Sequence, residues 1–453
     1  MKKIVSIGCG GAGMFSAIVA TQLNKEKFEA IVLSDEENIF CRCTSPYVLT
    51  GEAQLADAIQ PDSMIESYGP KIVHEKAVSI NTSKKQVTTE KGNVFDYDYL
   101  VIATGASPMK LDIKGIDSEK VFTIRKSSDV DKIQAIAKDV KDVVVVGAGV
   151  IGIEMAGALK SKGIEVSLVE YAPSLSPKIS DAEFAKKIIA HLETNGIKTM
   201  FNSKMEEIAD EEGKKKVVVE KNGKKESIAT DLVIVAAGVQ PNLKIIEGTK
   251  IKATKQGILV DEKMRTNIEN IYAAGDCCVP RSAVTKENVP SALASSAIQQ
   301  AKVVGYQMAG FPIKFNGSTG AFAFQTLGKE YAAVGLTEEE ARKKFKWVIV
   351  GRATTTDVYK DLKRENPVEV KLIFAGPKMR LIGYEGFGNG VIASAEVASF
   401  AIGLRLSILK VLKFNYISHP SLTPWPFMNP IIMATEDAMG NIMKKFTGFF
   451  GKK

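Results

Sequence analysis

The chain has 453 residues, a hydrophobic fraction of 45% and a charged fraction of 25%; at about 150 residues per domain it has room for roughly three domains. These proportions exclude disordered, collagenous and disulfide-scaffold classes, and five cysteines suit a reducing compartment better than a secreted framework. Sixty Lys and Arg against 52 Asp and Glu leave a modest, dispersed charge of +8; Lys-rich runs without aromatics argue against nucleic acid, and no run of about 18 apolar residues predicts a transmembrane segment.

Lys2 to Ile7 reads as a buried first strand rather than a signal peptide, because its apolar run is short and leads straight into glycines. On that reading the protein is cytoplasmic. Gly8-Cys9-Gly10-Gly11-Ala12-Gly13 follows, then a helix-like stretch from Met14 to Leu23. A second strand, Ala30 to Leu33, ends at Ser34 and Asp35, and Asp35 lies 22 residues past Gly13, near the spacing at which an acid meets a ribose hydroxyl. Phe40-Cys41-Arg42-Cys43-Thr44-Ser45-Pro46-Tyr47 comes next, and Tyr97 to Ala106 is a strand running into Ala103-Thr104-Gly105.

The opening pattern recurs at Val143 to Val146, followed by Gly147-Ala148-Gly149-Val150-Ile151-Gly152 and a helix through about Lys162. Glu165 to Val169 is its second strand, with Glu170 at the end. Gly213 to Lys225 predicts a hairpin turning at Asn222-Gly223, its lysines guarding an exposed edge. Leu232 to Asn242, which contains Gly238, and Ile271 to Cys278, which contains Gly275-Asp276, are further strand-and-loop segments. Strands alternating with helices predict α/β domains with parallel sheets. From about Thr326 glycine loops stop, and strands at Trp347 to Val350, Val368 to Phe374 and Met379 to Glu385 precede helices at Val397 to Ile402 and Leu406 to Leu412. A last helical stripe runs from Ile431 to Phe450, suited to packing on its own domain, with docking on another protein as the alternative.

Two glycine loops, each between a strand and a helix and each with an acid downstream, predict two dinucleotide sites. Glu170 is followed by Tyr171-Ala172-Pro173 with no Arg beside it. A carboxylate there accepts from a free ribose 2′-OH and repels a 2′-phosphate, so the second loop is expected to prefer NADH over NADPH. The first loop is left for a flavin. Arg42 and the helix-starting residues after Cys43 favour thiolate at that sulfur, although a small packed hydrophobe is an equal reading of its position.

Together these residues resemble the pyridine-nucleotide–disulfide oxidoreductase superfamily, and within it the branch of coenzyme A disulfide reductases, NADH oxidases and persulfide reductases. The resemblance implies two Rossmann-like α/β domains, for FAD and NAD, and a C-terminal α+β dimerisation domain. The corresponding boundaries are 1–115 and 246–325 for the FAD domain, 116–245 for the NAD domain and 326–453 for the interface domain. It places FAD on Gly8, Gly10, Gly13, Asp35, Ala103, Thr104, Gly105, Gly275 and Asp276, and NAD on Gly147, Gly149, Gly152 and Glu170, with Gly238 among the cofactor-binding glycines.

The resemblance also marks Cys43-Thr44-Ser45-Pro46-Tyr47 as a single-cysteine redox segment. Departures are Cys41 two residues earlier, an eight-residue span from Asp35 to Cys43, and Cys277-Cys278 after Asp276, the last read as packed thiols. His419-Pro420-Ser421 is similar to a tail that carries an acid–base histidine in related flavoenzymes. The glutamate expected to orient it is replaced by Pro424, which leaves His419 without tautomer control and open to a structural role in a homodimer interface. His74 and His191 receive no role, and no metal site is read.

The function implied is an FAD-dependent NADH oxidoreductase. It passes hydride from NADH through FAD to Cys43 and on to a small disulfide or persulfide acceptor. Two alternatives stay open. One is an NADH-handling subunit exchanging electrons with iron–sulfur partner subunits, which would have to supply the iron; the other is an oxygen-reducing NADH oxidase.

Overall fold

A computed structural model describes residues 1–450, with side chains through residue 444. The chain divides into two compact units. One comprises Met1–Lys110, Thr123–Lys138 and Gly238–Ser318; the other comprises Leu111–Phe122, Asp139–Ala237 and the chain from Thr319 onward.

In the first unit five parallel strands lie in the order Ile271–Ala273, Tyr99–Ile102, Lys2–Ile7, Phe28–Leu33, Lys71–Val73. Ile4, Val5, Leu100, Val101, Ile102 and Val32 are essentially fully buried, as expected where both faces of a parallel sheet are covered. The helices Gly11–Leu23 and Ala294–Ala309 pack closely. A Cβ on Gly305 would stand 2.6 Å from Val19 Cβ, so only glycine permits that approach.

The second unit repeats the plan. Its parallel sheet runs Val121–Phe122, Leu232–Val235, Asp142–Val146, Glu165–Val169, Lys198–Met200. The expected hairpin is present, with Asn222 and Gly223 both at positive φ, 52° and 77°, the pairing a tight two-residue turn needs. Its lysines are not all at an edge. Lys214–Lys221 is the central strand, flanked by Ser203–Glu211 and Lys224–Thr230. Lys215 is 3% exposed and pairs with Asp210 at 2.6 Å, so only Lys224 and Lys225 sit on an outer strand.

A five-stranded antiparallel sheet follows, in the order Phe322–Thr326, Lys329–Gly335, Arg380–Phe387, Pro367–Ala375, Val348–Thr356. The first two strands are absent from the sequence reading; the other three match it, start within one residue and run on past the C-terminal ends read. The helix Pro430–Phe450 lies against the edge strand Val348–Thr356. Backbone meets backbone there, since a Cβ on Gly351 would fall 1.7 Å from the Ala434 carbonyl oxygen. Covering an edge strand in this way removes a pairing template.

One buried polar cluster ties this sheet to the segment around Asp181. Lys371, 1% exposed, has its Nζ 2.5 Å from Asp181, 2.7 Å from Glu183 and 3.0 Å from Glu385. Glu385 accepts from the Asp181 N–H and the Tyr331 hydroxyl, both at 2.8 Å. Asp181 in turn accepts from the N–H groups of Glu338 and Glu339.

Burial pushes the Glu385 carboxyl up to about 7, against the pull of Lys371. This lies above the value of about 4.3 for an unfolded chain, so the folded state loses stability as pH rises between those values and the loss is complete above the folded pKa. Glu385→Gln cannot ionise. Its melting temperature should therefore change less than that of the native chain between pH 5 and 8, the difference reaching roughly 2–3 kcal/mol at about 1.4 kcal/mol per pKa unit. Thermal melts of both proteins across that range check this.

Candidate functional site

Both glycine loops are built by the same steric rule. Gly8 has φ +110° and Gly147 φ +104°. A Cβ on Gly8 would lie 2.2 Å from the Ala103 carbonyl oxygen, and one on Gly147 would lie 2.5 Å from that of Ala236. The loop backbone thus passes directly over the end of the neighbouring parallel strand. Gly13 and Gly152 pack on the carbonyls of Gly8 and Gly147, each with only 1.8 Å to spare for a Cβ. Gly10 and Gly149 differ: a Cβ on either meets nothing within 4 Å.

Gly10 and Gly149 are also the N-caps of the following helices, in extended conformation and without a side-chain cap. First-turn N–H groups at such an end, next to open space, suit a pyrophosphate. The two loops therefore fit the phosphate cradles of two dinucleotides.

Around the first loop the strand ends bring the other expected residues into the same unit. Ala103 donates to the Ile7 carbonyl at 2.9 Å and Ala274 to that of Ile102 at 3.1 Å. Asn242 clasps the Ala103-Thr104-Gly105 turn. Its Nδ2 donates to the Thr104 carbonyl at 2.8 Å, its carbonyl accepts from Thr104 Oγ1 at 2.7 Å, and its backbone N–H reaches the Gly105 carbonyl. Ser107 Oγ donates to Asn242 Oδ1 at 2.8 Å.

Gly105 has φ +65°, with an Arg125 Nη 2.9 Å from where its Cβ would be. Burial raises the Asp276 carboxyl, while the charges of Arg125 and Arg42 lower it. Asp35 is exposed after the strand Phe28–Leu33. The adjacent Glu36 is the residue that pairs with Arg42, and its carbonyl lies 2.7 Å from His74 Nδ1. His74 Nε2 meets Asp62 at 2.7 Å, so this histidine is held between two groups although no role is read for it from sequence. Arg42 Nε is buried with no hydrogen-bond partner among the described residues, an orphaned donor that a bound acceptor would satisfy.

Cys43 is exposed in the 3₁₀ turn Arg42–Thr44, just before the short helix Ser45–Thr50. Cys41, also exposed, caps that turn through its carbonyl, which accepts from Thr44 Oγ1 at 2.6 Å. None of the five cysteines forms a disulfide. Cys277 and Cys278 are fully buried, and their thiols donate to the carbonyls of Ile102 and Gly275 at 3.3 Å. Burial raises both. Cys9, in the first loop, is pushed up to about 12, mainly by burial.

In the second unit Glu170 closes its strand against its own loop. One carboxylate oxygen accepts from the Ala148 N–H and the other from the Ala172 N–H, both at 2.7 Å. Tyr171 beside it is 74% exposed. Gly238 falls in the first unit, at φ +107°, with its carbonyl accepting from the Met109 N–H at 2.9 Å.

His419 is exposed, and the expectation that it lacks tautomer control is corrected. The Ser421 N–H donates to its Nδ1 at 3.3 Å and Ser421 Oγ lies 3.0 Å away. An amide N–H can only donate, so Nδ1 is an acceptor and the neutral ring carries its proton on Nε2. A glutamate carboxylate could only accept from the ring, so the local serine N–H sets the opposite tautomer to the one such a glutamate would. Arg125, Asn242 and Ser421 are given no role in the sequence reading, although Asn242 and Ser421 fall within quoted segments; Arg125 and Asn242 act on residues far away in sequence, and Ser421 acts partly through its backbone N–H. Among the described residues no group of three or more His, Cys, Asp or Glu side chains could hold a metal, and no helix is long and apolar enough to cross a membrane.

Residues 2–301 match the family model for pyridine nucleotide-disulphide oxidoreductases, and residues 324–426 match the dimerisation domain of that family. The chain is 31% identical to an NADH oxidase of Methanocaldococcus jannaschii, over 98% of this chain and all of the relative. It is 29% identical to a CoA-dependent NAD(P)H sulfur oxidoreductase of Pyrococcus furiosus, over 93% and 96% of the two chains. The structure of an NAD-dependent persulfide reductase from A. fulgidus superimposes with a TM-score of 0.91 at 28% identity, covering 98% of this chain and 84% of that one.

The loop sterics separate folding from binding. Gly10→Ala and Gly149→Ala should melt within about 1 °C of the native chain, since the methyl enters open space. Gly13→Ala and Gly152→Ala should lose at least about 2 kcal/mol through forced overpacking. Calorimetry on the four variants checks this.

Proposed function

This chain belongs to the pyridine nucleotide-disulphide oxidoreductase family, whose members use FAD and NAD(P)H, and on that footing we propose that it carries an electron pair from NADH to a small disulfide or persulfide acceptor by way of Cys43. The observation that carries the proposal is the exposed Cys43, preceded by Arg42, whose guanidinium lies within electrostatic reach of Asp276. The relatives named as sulfur oxidoreductase and persulfide reductase support the same class of acceptor.

In this reading the first loop, Asp35, the Ala103-Thr104-Gly105 turn and Gly275-Asp276 hold FAD. Gly147, Gly149 and Gly152 hold the NADH pyrophosphate. Glu170, fixed by two backbone N–H groups, keeps lone pairs for the ribose hydroxyls and repels a 2′-phosphate, which favours NADH. FAD supplies hydride acceptance from NADH and release of the electron pair to sulfur.

The chain's own residues do the rest. Arg42 favours the Cys43 thiolate. That thiolate attacks the acceptor's S–S bond, one sulfur departs as a thiolate, and the other stays joined to Cys43 until two electrons cleave the mixed disulfide. The dimerisation domain supports a homodimer as the working assembly.

Anaerobic NADH titration of the purified protein tests the proposal. Protein first incubated with the disulfide acceptor and then freed of it holds Cys43 as the mixed disulfide, a sulfur-based centre beside the flavin, so full reduction should take about two equivalents per flavin, falling to about one in Cys43→Ser. Turnover of disulfide or persulfide substrates with NADH should fall at least about a hundredfold in the same variant. One equivalent in the acceptor-treated native protein, or unchanged turnover in Cys43→Ser, would sink the proposal.

A further inference from the structure

Gly275 and Asp276 sit on a turn held from two sides. A Cβ on Gly275, at φ +82°, would stand 2.9 Å from the Cβ of Ala12, so one side rests on the first glycine-loop helix. On the other side lies Gln300, fully buried in the helix Ala294–Ala309. Its Oε1 accepts from the Gly275 N–H at 2.8 Å and lies 3.3 Å from the Cys278 Sγ. Its Nε2 donates to Ser296 Oγ at 3.0 Å. Ser296 Oγ also accepts from Ser291 Oγ at 2.9 Å, and Ser291 Oγ is 3.0 Å from Ser318 Oγ.

The amide has one orientation that satisfies this site. An N–H must meet an acceptor, so the oxygen faces Gly275 and the nitrogen faces Ser296. Both ends of a buried amide are thus used, and rotation would leave the Gly275 N–H unpaired away from water.

We infer that Gln300 is the positioning residue of the Gly275–Asp276 turn and through it sets how tightly the protein retains FAD. The inference rests on the reading that this turn contacts the flavin. Gln300 itself touches no reacting atom. It fixes the backbone from which Asp276 projects.

Three variants separate this role from a general contribution to folding. Gln300→Met removes the acceptor at similar length, Gln300→Glu keeps an oxygen for Gly275, and Ser296→Ala cuts the network on its far side. FAD release from each purified holoenzyme on dilution is read by flavin fluorescence, the flavin midpoint potential is measured, and melting temperature is recorded with saturating FAD. Losing one buried hydrogen bond that acts on the flavin site should raise the FAD Kd about tenfold or more in Gln300→Met and shift the potential. Gln300→Glu and Ser296→Ala should stay within about threefold, even where Ser296→Ala melts as low as Gln300→Met.

Equal changes in FAD Kd for Gln300→Met and Ser296→Ala, in step with their melting temperatures, would overturn the inference. So would an unchanged Kd in Gln300→Met. Should Gln300→Met fail to fold, a tenfold loss in Gln300→Glu decides against it. Asp276→Asn separates the two levels: an unchanged Kd there overturns the flavin reading of the turn itself.

Discussion

Everything about the two loops follows from one steric constraint, that backbone crosses backbone where a side chain would otherwise be. Gly8 over Ala103 and Gly147 over Ala236 place each loop on the end of the neighbouring strand, and Gly13 and Gly152 bring each helix down onto its own loop. Once those contacts are made, open space lies at the caps Gly10 and Gly149, beside the first turns of both helices. The open space at Gly10 and Gly149 is the remainder of that geometry. The same close approach that excludes Cβ atoms aims the helix ends at that space, the arrangement that suits an anion.

Polar groups carry the second level of order, and they act where the sheets alone would leave freedom. Asn242 holds a turn 138 residues away in sequence with side-chain and main-chain bonds. Lys371 reaches Asp181 across 190 residues. Such buried ion clusters add little net stability, since desolvation offsets most of the attraction, but breaking one leaves an uncompensated charge. Their consequence is a single arrangement. Asp181 bonds the first N–H groups of one helix while starting another, so a shift of either element would strand a charge on Lys371.

What the sequence made legible is what local chemistry determines. Strand–glycine–helix grammar located both loops, and Val- and Ile-rich runs located most of the parallel strands, because each signal lies within a dozen residues; the short strands Lys71–Val73, Val121–Phe122 and Lys198–Met200 carry no such run. The Asn222-Gly223 turn was legible for the same reason. Pairing order was not. Whether Lys214 to Lys216 lie at an edge depends on a third strand, Ser203–Glu211, whose polar alternation does not advertise its partner. The same limit hid Phe322–Thr326 and Lys329–Gly335, and it hid Arg125, whose approach to Gly105 depends on tertiary placement. Ser421 is a different case: it is only two residues from His419, but a backbone N–H donates whatever the side chain is, so residue identity carries no signal for it.

The five cysteines show how structure sorts residues that sequence treats alike. Thiolate chemistry needs exposure and nearby positive charge, whereas burial in an apolar setting makes a thiol inert. Cys277 and Cys278 are fully buried and spend their hydrogens on carbonyls. Cys9 is held protonated by burial, with Asp62 and Glu36 adding to the effect. That leaves Cys41 and Cys43 at the surface, in one turn. Both are exposed, but only Cys43 stands in the cysteine–two residues–proline–tyrosine segment and directly after Arg42. Cys41 contributes its carbonyl to the turn that presents Cys43. The cysteine that the spacing alone left unexplained thus has a backbone role in the turn that exposes both sulfurs.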